Sequence, residues 1–415
     1  MDSRLLMILI GAAILFLGII AAIVFLIIAI KKKKKKPVEA EEAAQVEIAV
    51  PVQGVDEKNA DEPFDAEYSA ARLEETLRSL GLGVSVCGVS IGAGFARYEL
   101  LPDIGERADR IRDFAADVAL TFGEEKIITH IPLGEKRTIG IDVPLREPVS
   151  PTLGSIIKSG YLRKPPEFSF VIGAETQGRL IAADIAGCAH LLIAGALGTG
   201  KSTALNSIAA ALILGADKNL LRVIMIDMQG LELNVYSGLP HLLMPVISDG
   251  RTASGALGLA EIEMNERYKK LSGMGLASIE DHNERAVEKS IAPMQRIVIF
   301  IDGVADMLRD NNEASTRLFN LLEKGAKVGV HAVLSVALPC SSSLLEKLAQ
   351  SMPSKICLRS PSKQAAELVA GSLEAVNLMP VGDMLVRLKN PDYVQHAQGV
   401  AVSREEIGWL LRKSN

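Results

Sequence analysis

Residues 195–202 read Gly195-Ala-Leu-Gly-Thr-Gly-Lys-Ser202, a run that satisfies G-x-x-x-x-G-K-[ST] at every constrained position. Its flanks give it a setting. His190-Leu-Leu-Ile-Ala194 is an apolar run of strand length that ends where the loop begins, and a helix-forming stretch starts at Lys201 and continues through Leu205 and Ile208 toward Leu212. Strand, glycine loop and helix in that order gather backbone N–H groups around a phosphate at the positive end of a helix. Lys201 then neutralises the β- and γ-phosphates, and the Ser202 hydroxyl ligates Mg²⁺. The expected nucleotide cradle is Gly195, Ala196, Leu197, Gly198, Thr199, Gly200, Lys201, Ser202 and Thr203.

From residue 151 onward, Leu221-Arg-Val-Ile-Met-Ile226, Arg296-Ile-Val-Ile-Phe-Ile301 and Val330-His-Ala-Val-Leu-Ser335 are further apolar runs alternating with helical patterns. Such strands predict an α/β domain whose mostly parallel sheet is covered on both faces. A phosphate loop needs a second acidic strand end for its metal. Asp302, directly after the uninterrupted apolar run at 297–301, is preferred for holding Mg²⁺ through water; Asp227, where Arg222 interrupts the run at 221–226 and which lies earlier in the chain, is the competitor. Asp306, one helical turn beyond Asp302, reads as a local cap or ion-pair partner.

Upstream, residues 65–150 suggest a small α+β domain. Helical spacing over 70–80 puts Leu73, Leu77 and Leu80 on one face, and Gly81-Leu-Gly83 ends it. Strands are predicted at 84–89, 95–100, 127–131 and 138–143, with a helix over 107–122 and a turn at 133–136. No cluster here looks catalytic, and Arg97 and Glu99 read as a solvated strand face.

The N-terminus has a different composition. Residues 5–30 are 26 residues without a charge, about 39 Å of helix against roughly 30 Å of bilayer hydrocarbon. Only Arg4 precedes them, whereas Lys31 to Lys36 follow directly, so the positive flank places residues 37–415 in the cytoplasm. Residues 1–4 are then a short extracytoplasmic end and 5–30 one transmembrane helix. Residues 31–64 are a polybasic flank, resting on anionic headgroups, and an acidic linker expected to be disordered or extended. The expected location is the cell membrane, single-pass.

A formal net charge of −5 excludes a generally basic nucleic-acid coat, so any DNA contact is local. Cys87, Cys188, Cys340 and Cys357 form no C-x-x-C, which leaves neither a zinc site nor a disulfide framework indicated. Aromatic residues at 4%, with the single Trp409, argue against base stacking. The six histidines show no metal spacing, and His190 and His331, beside apolar runs, read as core residues.

An ordered series over 67–403 resembles the FtsK/SpoIIIE DNA translocases. Val86-Cys-Gly-Val-Ser90, Arg97-Tyr-Glu-Leu100 and Ile139-Gly-Ile-Asp-Val-Pro144 are similar to the family's lead domain. The phosphate loop, Asp227 with Leu231-Glu-Leu233, Gly238-Leu-Pro-His-Leu242, Glu263-Met264, Arg267-Tyr268, Gly329-Val-His331 and Gly382-Asp-Met384 follow in order. The resemblance implies a RecA-like P-loop NTPase over 151–415, using ATP and Mg²⁺ in a hexameric ring that pumps double-stranded DNA. The winged-helix reader that members often carry has no counterpart here, which puts orientation by DNA sequence in doubt.

The departures from the family fall on hydrolysis and coupling positions. Gly303 stands where the family has the water-polarising glutamate, Ala337 where it has a glutamine, Gln229 for a lysine, and Ala366-Glu367 for a Ser-Arg pair. A general base is typically worth about 10²–10⁴-fold in rate and an arginine finger about 10³–10⁵-fold. Three readings follow. One is a membrane-anchored ATP-driven DNA ring, as a homo-hexamer or mixed with an active paralogue. The second is a hydrolysis-deficient ATP-gated scaffold or partner subunit, and the third a secretion-type coupling ATPase.

Overall fold

The computed structural model describes residues 66–414 apart from 124–125, 132–137, 146–149, 161–167, 176–177, 380 and 390–392. The expected membrane span at 5–30, its lysine flank, the acidic linker and the turn at 133–136 lie outside the described residues. Among the described residues, no helix is long and apolar enough to cross a membrane.

The first sheet is small and antiparallel. Helix α1 (Ala66–Ser79) carries Leu73 and Leu77 one turn apart, and both are fully buried. Gly81, at φ +74°, follows it; glycine takes this left-handed backbone without a Cβ penalty. Strands β1 (Val84–Ile91), β2 (Phe95–Pro102), β3 (Ile128–His130) and β4 (Ile139–Pro144) lie in the order β1-β2-β4-β3. Tyr98, Leu100, Ile139 and Ile141 meet Leu73 and Leu77 in one core. The helix expected over 107–122 is two, α2 (Arg110–Asp113) and α3 (Ala115–Thr121). Phe114 leaves helical geometry at φ −99°, ψ 12° between them, its ring packed against the same core.

Arg97 corrects the solvated-face expectation. It lies in register with Asp142 on β4, and its guanidinium donates to both carboxylate oxygens at 2.6 Å. The strand register brings the pair together, and the second sheet covers it. Glu99, on the same strand, is half-buried.

That second sheet has nine strands. After α4 (Leu153–Lys158) come β5 (Ser169–Ala174), β6 (Leu180–Asp184), α5 (Ile185–Cys188) and β7 (Leu191–Gly195). Next are α6 (Lys201–Gly215), β8 (Leu221–Asp227), α7 (Gly250–Gly273), α8 (Ile279–Glu288) and β9 (Arg296–Asp302). The chain continues through α9 (Val304–Leu308), α10 (Asn312–Lys324), β10 (Val330–Ala337), α11 (Ser342–Ser351), β11 (Ser354–Leu358) and α12 (Lys363–Ala370). It closes with β12 (Asp383–Arg387), β13 (Val394–Gly399) and α13 (Arg404–Ser414).

The spatial order is β6-β5-β13-β12-β11-β7-β10-β9-β8. The five strands from β11 to β8 are parallel. The other four form an antiparallel extension. All four strands predicted around the phosphate loop lie in the parallel part.

Alternation within each strand explains the unbroken apolar runs. Ile297, Ile299 and Ile301 of β9 face one core, with α7 and α10, while Val298 and Phe300 face the other, with α6. Both faces are dry, so no polar residue is wanted on either. Helix α6 is buried from Ala204 to Ile213, as expected of a helix that is apolar all round.

Candidate nucleotide-binding site

The glycine loop sits mid-sheet, because β7 runs between β11 and β10. From β7 the chain passes to the far edge at β8, returns through β9 and β10, and crosses to β11 on the other side of β7. Crevices at such reversals, outside the carboxyl ends of the strands, are where open α/β sheets bind ligands.

Close approach dictates the glycines. A Cβ at Gly195 would lie 2.9 Å from both Leu358 Cβ and Thr199 Oγ1. Gly198 and Gly200 have φ of +74° and +105°, and Gly200 precedes α6 without any side-chain cap. The first-turn amides of α6 therefore remain available to a ligand. Lys201, 9% exposed, donates from Nζ to Ala196 O at 2.7 Å, bending back over the loop. Burial lowers its pKa from the ordinary lysine value, and the charge of Asp302 opposes that.

The two candidate aspartates end neighbouring strands in register, but their surroundings differ. Asp227 accepts from the backbone N–H groups of Gln229, Gly230, Glu232 and Leu233 at 2.7–3.2 Å. Its carboxylate organises its own loop. Asp302 instead meets the phosphate loop, its Oδ2 accepting from Ser202 Oγ at 3.3 Å. A hydroxyl and a carboxylate placed together are hard oxygen donors suited to Mg²⁺.

At the expected catalytic positions, Gly303 takes φ +77° and precedes α9. Asp306 accepts from the Arg309 guanidinium at 2.7 Å, which matches the local-pair reading. Ala337 ends β10 beside Gly195, Gln229 and Glu367 are exposed, and Ala366 is buried in the core. His190 and His331 are core residues, pushed by burial down to about 4 and about 3 respectively.

A second polar cluster was not legible in the sequence. His396 on β13 bridges Asp142 of the small domain and Asp383 at the start of β12, and stacks on Phe95 with ring centroids 3.7 Å apart. His130 Nε2 lies 2.7 Å from Asp142. His130, Asp142 and His396 offer ligand atoms within 4.8 Å of one another, although the histidine spacing gave no sign of it. Arg97 occupies both Asp142 oxygens, so this group already contains its cation and reads as an ion-pair network.

The network implies a pH dependence. Burial opposes the charge of His396, but Asp383 and Asp142 outweigh it and raise its pKa to about 9. Burial likewise pushes the Asp142 carboxyl up, yet Arg97 and the two imidazoles hold it well below the usual carboxylate range. Burial lowers His130, with Arg97 adding to the effect against Asp142. The folded chain retains a proton on His396 that the unfolded chain releases, so this stabilisation is complete below 6.5 and lost as pH rises through about 9. His130 opposes it below 6.5, where the unfolded chain gains a proton that the folded one does not. Thermal midpoints measured from about pH 5 to about pH 10 should therefore decline on the alkaline side, and His396→Gln should remove that decline.

Fold and loop together define a P-loop NTPase with a parallel RecA-like core. Residues 153–352 match the FtsK/SpoIIIE family and residues 49–145 match the FtsK alpha domain, and the chain belongs to the FtsK/SpoIIIE family. A DNA translocase FtsK from Caldanaerobacter subterraneus is 33% identical over 81% of this chain and 48% of its own length. One from Clostridium tetani is 31% identical over 82% of this chain and 46% of its own length. The chain thus spans about half the length of the curated relatives it matches.

Among solved structures, the pCW3 conjugation coupling protein TcpA is 18% identical, with a TM-score of 0.57 over 84% of this chain and 100% of that one. The cytoplasmic domain of the Thermomonospora curvata type VII secretion ATPase EccC is 21% identical, with a TM-score of 0.55 over 64% of this chain and 34% of that one. Both share the fold.

Proposed function

We propose that this chain binds ATP and Mg²⁺ at residues 195–203 and Asp302, and serves in a membrane-anchored ring that moves or holds double-stranded DNA. The observation that carries the reading is the Ser202 hydroxyl meeting the Asp302 carboxylate at the mouth of the glycine loop. The family, whose curated relatives carry the name DNA translocase, supplies the substrate class and the ring. Bound ATP with Mg²⁺ supplies a phosphoryl group for transfer to water. The chain's own part is to bind and orient: Lys201 would face the phosphates, the α6 amides line the loop, and Ser202 and Asp302 would hold the metal. The apolar run at 5–30 and the lysines after it support a single-span anchor with the bulk of the chain in the cytoplasm.

A second reading, tight binding with little turnover, is favoured by one specific observation. The residue after Asp302 is a glycine in left-handed backbone, and the nearby Asp306 carboxylate is engaged by Arg309. ATP turnover by the full chain, with and without long duplex DNA, separates the two readings. Under the second, the wild type binds ATP and turns over slowly. Gly303→Glu should then raise turnover by about 10²-fold, the lower end of what a general base provides. It reaches only the lower end because φ +77° costs a residue with a Cβ about 1–2 kcal/mol. DNA-stimulated wild-type turnover, lost in Lys201→Ala, would instead establish a working motor and overturn the slow-turnover reading.

A further inference from the structure

Val381 and Gly382, just before β12, lean on the phosphate loop. Gly382 N donates to Thr199 O at 3.0 Å. A Cβ at Gly200 would lie 3.2 Å from Gly382 N and 3.4 Å from Val381 Cγ1, so the two segments touch backbone to backbone. Gly382 O accepts from Gly399 N at 2.8 Å, tying the same residue to the end of β13.

Gln398 holds this strap from behind. Its Nε2 donates to Val381 O and to Ser150 Oγ, each at 2.9 Å. One amide nitrogen thus joins the strap to the segment leaving the small domain. A Cβ at Gly94, in the β1–β2 turn of that domain, would fall 2.6 Å from Gln398 Oε1, so a side chain there would displace the amide. His396 lies two residues earlier, on the same face of the strand. It links Asp142 of the small domain to Asp383, the residue after Gly382. Asp383 also accepts from Met379 N at 2.8 Å, closing the base of the strap.

We propose that Gln398 is a positioning residue for the nucleotide loop, and that the small domain sets nucleotide affinity through β13 and the Val381–Gly382 strap. The proposal rests on the reading of residues 195–203 as the nucleotide cradle and adds how that cradle is regulated. Contact between small domain and strap fixes the Thr199 carbonyl and the left-handed Gly200, on which the loop's shape depends. By linkage, nucleotide binding must in turn tighten the small-domain contact.

The test uses the full chain and a fluorescent ATP analogue. Gln398→Glu keeps the side chain's shape but turns an oxygen toward Val381 O in place of the donor. Affinity should fall about 10-fold, mostly through faster release, as for loss of one buried hydrogen bond. The analogue should also slow hydrogen exchange in β4 of the wild type and leave β4 indifferent in Gln398→Glu. A merely structural Gln398 would shift stability without removing that nucleotide dependence. Should Gln398→Glu fail to fold, Ser150→Ala removes only the bond on the small-domain side and gives the same comparison. A wild type that binds the analogue while the variant matches it in affinity and in β4 protection overturns this proposal alone. A wild type that binds no analogue overturns the cradle reading and this proposal with it.

Discussion

Lys201→Ala is expected to abolish ATP binding at any concentration of practical use, lowering affinity by about 100-fold or more. Truncating one partner of a buried charged pair typically costs about 2–5 kcal/mol, and about 2.7 kcal/mol corresponds to 100-fold. Lys201 meets the conditions for a loss within that range. It is 9% exposed, it begins a buried helix, and its ammonium lies over the loop within hydrogen-bond reach of Ala196 O. No other cationic side chain lies within the 195–203 run to take its place. The fold should survive, because α6 is held by its buried stretch from Ala204 to Ile213 and the lysine contributes one bond to a loop carbonyl. Titration calorimetry with ATP and Mg²⁺ measures the loss, and circular dichroism checks the fold. Wild-type affinity in the folded variant would remove the nucleotide assignment altogether.

Asp142→Ala should be the most damaging single change to stability outside the apolar core. Its carboxylate is fully buried and receives Arg97 twice, His130 and His396. Deleting it leaves His396 with one of its two carboxylates and strips Arg97 of the carboxylate it is ion-paired to. Breaking a buried pair in this way costs about 3–5 kcal/mol, a large share of the 5–15 kcal/mol that holds an ordinary domain together. Asp142→Asn retains the shape and some of the hydrogen bonds and should cost less. Urea denaturation followed by tryptophan fluorescence, with far-ultraviolet circular dichroism as a second probe, distinguishes the cases. Trp409 lies in α13, beyond the small domain. A non-coincident transition in Asp142→Ala would show the small domain releasing first. An unchanged midpoint in Asp142→Ala would mean that the network contributes nothing.

What could be read directly was local in the chain. The phosphate loop is contiguous, and its strand and helix flanks are dictated by an apolar run and by helix-forming residues on either side. Four of the five strands of the parallel core declared themselves because both of their faces are dry, which leaves long apolar runs such as Ile297 to Ile301. Gly81 marked a helix end because left-handed backbone favours glycine. Asp302 could be preferred over Asp227 from its uninterrupted run and its later place in the chain, but both end apolar strands. Only tertiary structure separated them, by giving the Asp227 carboxylate four backbone donors and setting Asp302 against Ser202.

The antiparallel extension was less legible. Its four strands are short, and the pattern of those at 383–387 and 394–399 is broken by Arg387, His396 and Gln398. His396 and Gln398 are buried where they meet Asp142 and Ser150 of the small domain. Arg97 misled for the same reason: a charge on alternating strand faces signals solvent unless a partner charge waits across the sheet. The sequence by itself therefore determined the class of fold, the nucleotide loop and the family pattern, all carried by neighbours in the chain. Tertiary structure alone decided the Arg97–Asp142–His396–Asp383 network and the strap against Gly200. Asp142 and His396 are 254 residues apart, and no local periodicity records a contact that exists only after distant segments have packed.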